Sequence, residues 1–226
     1  MRIIGLALVV VMGIAGIGAG AGAAAAQGLP SRKGMSQIVP GLWIDSNATP
    51  EEVAAIRERI NKASAKVLKY MGDVQAVEWW ICASPECNRA NGMKARGMTY
   101  GASLITLDAN ASRDGGVYVH ELTHATLHGA LPMGGLFSKA LPLWFDEGVA
   151  VILSQQPPEA AQKSACTKPQ KGALPRNALE FNRLAPDAKR ALPVYTRSAC
   201  AVRDWLAEGR KLKGIVPMLR AGRHLP

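Results

Sequence analysis

Aromatic residues make up only 5% of these 226 residues, and cysteine occurs four times. Past residue 26 no apolar run reaches membrane length, no segment repeats another, and the basic residues gather into no dense cluster. These absences exclude several classes. Few aromatics and no basic cluster leave neither stacking platforms nor a charged groove, so a nucleic-acid partner is not expected. With no second long apolar run, no stable membrane insertion is expected once the N-terminal segment is removed. A hydrophobic content of 48% with 19% charged residues excludes a wholly disordered chain. The length suits one domain with a sizeable core.

The first 26 residues read separately. Met1-Arg2 is a short positive start, an apolar run follows from Ile3, and Ala24-Ala25-Ala26 precedes Gln27. That order is the layout of a secretory signal peptide with its small-residue cleavage box. The competing reading is an uncleaved anchor, against which stand the weakly hydrophobic Gly and Ala of its second half. The expected organisation is a signal peptide over 1–26, a lead-in over 27–48 and one domain over 49–226, secreted or periplasmic.

Export makes the even cysteine set, Cys82, Cys87, Cys166 and Cys200, a disulfide framework. Four cysteines allow three connectivities. The favoured one closes the short 82–87 loop and ties Cys166 to Cys200; C-x4-C without a second close pair argues against a cysteine zinc site. Charge is unbalanced, 27 basic against 17 acidic residues. Scattered along the C-terminal third, the excess reads as a solvated basic surface, open to contact with an anionic envelope surface.

Thr49-Pro50-Glu51-Glu52 is a helix start: Thr49 can cap, Pro50 fits the first helical position and Glu52 completes a capping box. Val53, Ile56, Ile60, Val67 and Met71 continue at helical spacing to Gly72. Strands are expected over 74–81 and 102–107. Asp114 can cap a helix running to about 128, and a second helix is expected over 142–154. A loop over 157–175 and a closing helix over 193–208 complete an α+β pattern.

Three of the four histidines fall within nine residues, His120, His124 and His128. The first two belong to His120-Glu121-Leu122-Thr123-His124, the H-E-x-x-H pattern. Positions i and i+4 share a helix face, so both imidazoles can reach one metal ion, and Glu121 stands beside it as a base. Then Leu141-Pro142-Leu143-Trp144-Phe145-Asp146-Glu147-Gly148-Val149-Ala150 opens the next helix with a carboxylate.

Together these two segments closely resemble the gluzincin branch of zinc metallopeptidases, the thermolysin-like or peptidase MA-like superfamily. The resemblance is specific across 117–150 and loose elsewhere. It implies a thermolysin-like zincin domain: a small mixed sheet, an active-site helix and C-terminal helices. It implies one Zn2+ per chain, held by His120, His124 and Glu147, with Glu121 as general base and then general acid. Two histidines and one carboxylate leave a fourth tetrahedral position open, as a catalytic zinc requires. Peptide or protein would be the substrate. A catalytically silent peptide- or envelope-binding protein of the same fold is the alternative.

The departures carry information too. His124 and Glu147 stand 23 positions apart, more than in many gluzincins. Aminopeptidases of this type carry G-x-M-E-N, whereas the stretch here is Gly101-Ala102-Ser103-Leu104-Ile105, without an acid. Cleavage within a chain is therefore favoured, and by resemblance this stretch should be an exposed edge for an extended peptide. In this superfamily a later Tyr or His hydrogen-bonds the developing oxyanion. Tyr195, in Pro193-Val194-Tyr195-Thr196-Arg197-Ser198, resembles that Y-x-x-S helix entry, with His224 the other downstream candidate. His128 lies about 6 Å along the axis from His124 and is not expected as a ligand. Asp146 can either orient a histidine or face solvent as a cap.

Overall fold

The computed structural model of the chain describes residues 11–13, 30–93, 95–132 and 140–225. The expected leader and its cleavage box lie outside these, apart from Val11–Gly13, a three-residue strand, β1. The lead-in expectation is corrected. Met35–Val39 (β2) and Leu42–Asp45 (β3) pair antiparallel, and Ile44 is fully buried, so this segment belongs to the core. Glycines and serines punctuate a strand pair only five and four residues long, too short to show a clear period.

Pro50–Met71 forms α1. Glu52 N–H donates to Thr49 Oγ1 at 3.3 Å and Thr49 N–H donates to Glu52 Oε2 at 2.8 Å, the reciprocal capping pair. Gly72 ends the helix at φ +75°, a left-handed conformation costly for any side chain. Ile56, Ala63, Val67 and Met71 bury one face of α1. Glu78–Cys82 (β4) follows; then the Cys82–Cys87 disulfide staples it to the short helix Pro85–Ala90 (α2).

Gly97–Tyr100 (β5) and Leu104–Asp108 (β6) form a hairpin turning at 101–103. The order across the sheet is β1-β5-β6-β4-β3-β2, with β3, β4 and β6 mutually parallel. This corrects the edge expected at 101–105. β6 is interior, paired on both sides, and β5 is the outer strand of the hairpin, carrying only the three-residue β1 antiparallel on its flank. A glycine at φ +60°, Gly101, lets the chain turn there instead of continuing as one strand.

One face of the sheet packs on α1 and on Gly116–Gly129 (α3), with Trp79, Ile81, Ile105 and Leu107 in the shared core. The opposite face carries Trp43, Trp80 and the Cys82–Cys87 disulfide, with the Arg32 guanidinium 4.1 Å from the Trp43 ring centroid. Adjacent residues of one strand face opposite sides, which explains why Trp79 is core and Trp80 is not.

Leu143–Ser154 (α4) lies against α3 and against Ala188–Ala207 (α7). The loop expected over 157–175 contains Glu159–Cys166 (α5), whose Cys166 is disulfide-bonded to Cys200 of α7. Ala178–Leu184 (α6) and Ile215–Arg220 (α8) complete the described helices. α7 starts five residues before Pro193, because the Asp187 side chain caps it by accepting from Arg190 N–H at 2.9 Å. The result is a mixed α+β domain.

Candidate metal centre

Two helices build the site. α3 begins after Gly115 at φ +76°, where Asp114 Oδ1 accepts from Gly116 N–H at 3.1 Å. Every residue from Gly116 to His128 is buried, so α3 runs through the interior rather than along the surface. α4 is apolar around the pair Asp146-Glu147, both buried. Gly148 lets it approach α7: a Cβ there would lie 2.4 Å from the Ser198 carbonyl oxygen.

His120, His124 and Glu147 are brought together as the sequence motifs lead one to expect. His120 Nε2 and His124 Nε2 are 3.1 Å apart, and Glu147 Oε2 is 3.5 Å from each. Glu147 Oε2 is buried and makes no hydrogen bond among the described residues, so an acceptor stands desolvated at the meeting point of two imidazoles. Ligand atoms bound tetrahedrally at about 2.0–2.1 Å would lie about 3.3 Å from one another. The three atoms therefore fit a shared divalent cation, and that fit is the physical reason a buried carboxylate oxygen can be left without a donor.

Asp146 is not a solvent-facing cap. Buried beside the ligands, it accepts from His124 Nδ1 at 2.8 Å through Oδ1 and from His128 Nε2 at 2.9 Å through Oδ2. Its bond to Nδ1 turns Nε2 of His124 toward Glu147 and His120. Burial alone would raise the Asp146 pKa. The positive charge and hydrogen bonds of His124 and His128 outweigh it and hold the carboxyl well below the ordinary range. For His124, burial pulls downward, but Asp146 and then Glu147 push its pKa well above the usual histidine value. Glu147 is held below its usual value: burial opposes, and His124 and His120 prevail. His124, His128 and Asp146 form a second group of potential ligands, but their 2.8 and 2.9 Å contacts are hydrogen-bond lengths.

Glu121 sits next to this centre, 1% exposed. Burial raises its pKa above the usual glutamate value, with His120, His124 and a Thr99 hydrogen bond pulling the other way. That bond runs from Thr99 Oγ1 to Glu121 Oε2 at 2.8 Å, and the same hydroxyl lies 2.9 Å from the Glu121 carbonyl oxygen. Thr99 had no signal in the sequence beyond being β-branched in a strand-like stretch. Nor did Gly97, where a Cβ would meet Val117, Leu107 and Glu121 within 2.8 Å, so its bareness seats β5 against α3.

Tyr195 of α7 lines the same cleft, about 740 Å3 in volume, with His120, Glu121, Val117 and Gln156. Its hydroxyl is buried without a hydrogen-bond partner among the described residues. Burial, then the charges of Glu147 and Glu121, push its pKa well above the usual tyrosine value, so it stays a donor. The other downstream candidate, His224, is exposed. Arg96 and Asp114, paired at 3.3 Å, and Glu159, paired with Lys163, stand among the lining residues. The structure joins Cys82 to Cys87 and Cys166 to Cys200, the favoured connectivity. The second pair holds α5, whose Glu159 borders the cleft, to the helix that carries Tyr195.

In comparisons with known proteins the chain matches no family model, no curated protein and no solved structure. What the site can do therefore follows from its own chemistry: three buried atoms that could hold a cation, and beside them His120, Glu121 and Tyr195 lining one cleft.

Proposed function

We propose that the chain is a zinc metallopeptidase of the gluzincin type, with a thermolysin-like catalytic domain, that hydrolyses bonds within peptides. The observation that carries this reading is the unpartnered Glu147 Oε2 at 3.5 Å from two imidazole nitrogens, with Glu121 and Tyr195 in the adjoining cleft. His120, His124 and Glu147 would hold the ion. A divalent cation there supplies Lewis acidity, acidifying a water molecule and polarising a carbonyl.

The chain's own groups supply the rest. Glu121, its pKa raised by burial, accepts the proton of the attacking water and returns it to the departing amine. Tyr195, protonated and otherwise unpartnered, donates to the substrate oxygen as it gains charge. A substrate backbone would add to the outer flank of β5 in place of Val11–Gly13, which pairs there antiparallel and belongs to the expected leader. The stretch Gly101-Ala102-Ser103-Leu104-Ile105 carries no acid, and the cleft acids Asp114 and Glu159 are already paired with Arg96 and Lys163. Both features support endopeptidase action. Two disulfides suit an oxidising compartment, and among the described residues no helix is long and apolar enough to cross a membrane. Both are compatible with the proposed secreted or periplasmic location.

Mass-spectrometric cleavage of a mixed unstructured peptide pool by the zinc-loaded protein, beside Glu121→Gln, tests the reading. Internal cuts by the parent and none by the variant are expected. Trimming of single amino-terminal residues would overturn the endopeptidase assignment. No cuts with zinc bound would leave a peptide-binding protein.

A further inference from the structure

His128 is a third histidine on the same buried helix, and the proposed chemistry does not use it. It is 6% exposed, and each ring nitrogen is aimed at an oxygen: Nδ1 lies 3.0 Å from the Gly101 carbonyl oxygen and Nε2 lies 2.9 Å from Asp146 Oδ2. The other Asp146 oxygen accepts from His124 Nδ1 at 2.8 Å. One unbroken chain of hydrogen bonds thus runs from the turn that closes β5 to a candidate metal ligand.

The torsion that turns an aspartate carboxylate is soft, with a broad minimum. One hydrogen bond therefore leaves the carboxylate plane free to swing, and a ligand held by that carboxylate alone would swing with it. Two imidazoles, one on each oxygen, fix the plane. We propose that His128 is a positioning residue for the metal centre: by clamping Asp146 it sets the ring of His124 for the ion, and through Gly101 it ties that ligand to the turn that closes β5. This inference rests on the metal-binding part of the function proposed above. Hydrogen-bond partners behind a ligand are typically worth 10–100-fold in metal affinity.

The side-chain amides of Asn and Gln separate the two bonds. His128→Gln places an N–H near the position of Nε2 and keeps the clamp on Asp146 while losing Gly101. His128→Asn places one near Nδ1 and does the reverse. Zinc affinity would be measured for the full chain by competition with a chromophoric chelator, and the visible absorption of the Co2+-loaded protein recorded alongside. Near-parent affinity and spectrum are expected for His128→Gln. For His128→Asn the expectation is affinity weaker by about 10–100-fold and an altered Co2+ band. On an Asp146→Asn background the same His128→Asn change should cost little more, because the link is already cut. Circular dichroism and melting confirm that each variant is folded.

Equal losses in His128→Gln and His128→Asn would overturn the clamp, since a merely structural histidine penalises both. So would parent affinity in His128→Asn. Two zinc ions per parent chain, falling to one in both variants, would overturn it in favour of a second metal site. A parent that binds no zinc overturns the proposed function itself, whereas a zinc-binding parent with indifferent variants overturns only the role of His128.

Discussion

At the scale of single residues, the proposed base and its support are separable from the proposed ligands. Glu121 is desolvated, and among the described residues the hydroxyl of Thr99 is the one neutral side chain that hydrogen-bonds its carboxylate, at 2.8 Å. Hydrogen bonds to charged groups contribute about 1.5–3 kcal/mol. Thr99→Val keeps the shape and the β-branching and removes the donor. Peptide cleavage should slow by about 10-fold or more on that energy, while zinc affinity stays at the parent value because Thr99 bonds none of the three ligands. Paired kinetics and zinc titration check this; an equal loss of zinc affinity would show that Thr99 supports the whole centre. H-E-x-x-H was legible because its chemistry dictates its spacing. Thr99 and Gly97 were not, because they serve the site only through contacts across two elements.

At the scale of elements, the placing of the proposed carboxylate ligand depends on how closely α4 sits on α7. Gly148, next to Glu147, faces the backbone of α7, and backbone cannot move aside as a flexible side chain can. Gly148→Ala should destabilise the protein by about 1–3 kcal/mol through overpacking, read as a lower midpoint in urea unfolding with unchanged slope. An unchanged midpoint would mean that α4 and α7 separate at no cost. Helix α1 was legible throughout, since its capping box and its left-handed Gly72 are local signals. Strand β5 was not: four residues, all buried, leave no alternation to read. The β2–β3 pair was hidden among Gly and Ser, and α5 is a short helix with one buried residue, Gln162, held to α7 by a disulfide.

For the whole molecule, the buried charges around the centre make stability depend on pH and on metal. Asp146 is held below its usual pKa, so its contribution is complete above the unfolded value of about 3.9 and is lost as pH falls toward the folded one. His124 is held above its usual pKa, so its contribution is complete below about 6.5 and is lost as pH rises through the folded value. The chelated protein should therefore be most heat-stable between about pH 4 and 6.5. Zinc competes with the proton on His124, so its stabilising effect should grow as pH rises from 5 to 8, by about 1 kcal/mol or more. Melting temperatures across pH, with zinc and with chelator, check both signs. A zinc effect that does not change with pH would contradict them.

What the sequence determined by itself were the features set by local chemistry. They are the capped helix α1, the shared helix face of His120 and His124 with Glu121 beside it, and a second helix opening on Asp146-Glu147. Each depends on spacing within one element, which is fixed by the helix repeat. Only the tertiary structure decided which strand is the edge, what Asp146 does, and that His128 reaches both Asp146 and Gly101. Those outcomes depend on how β5, α3 and α4 pack together. A pairing between residues 18 or 27 positions apart is decided by that packing and not by any one segment.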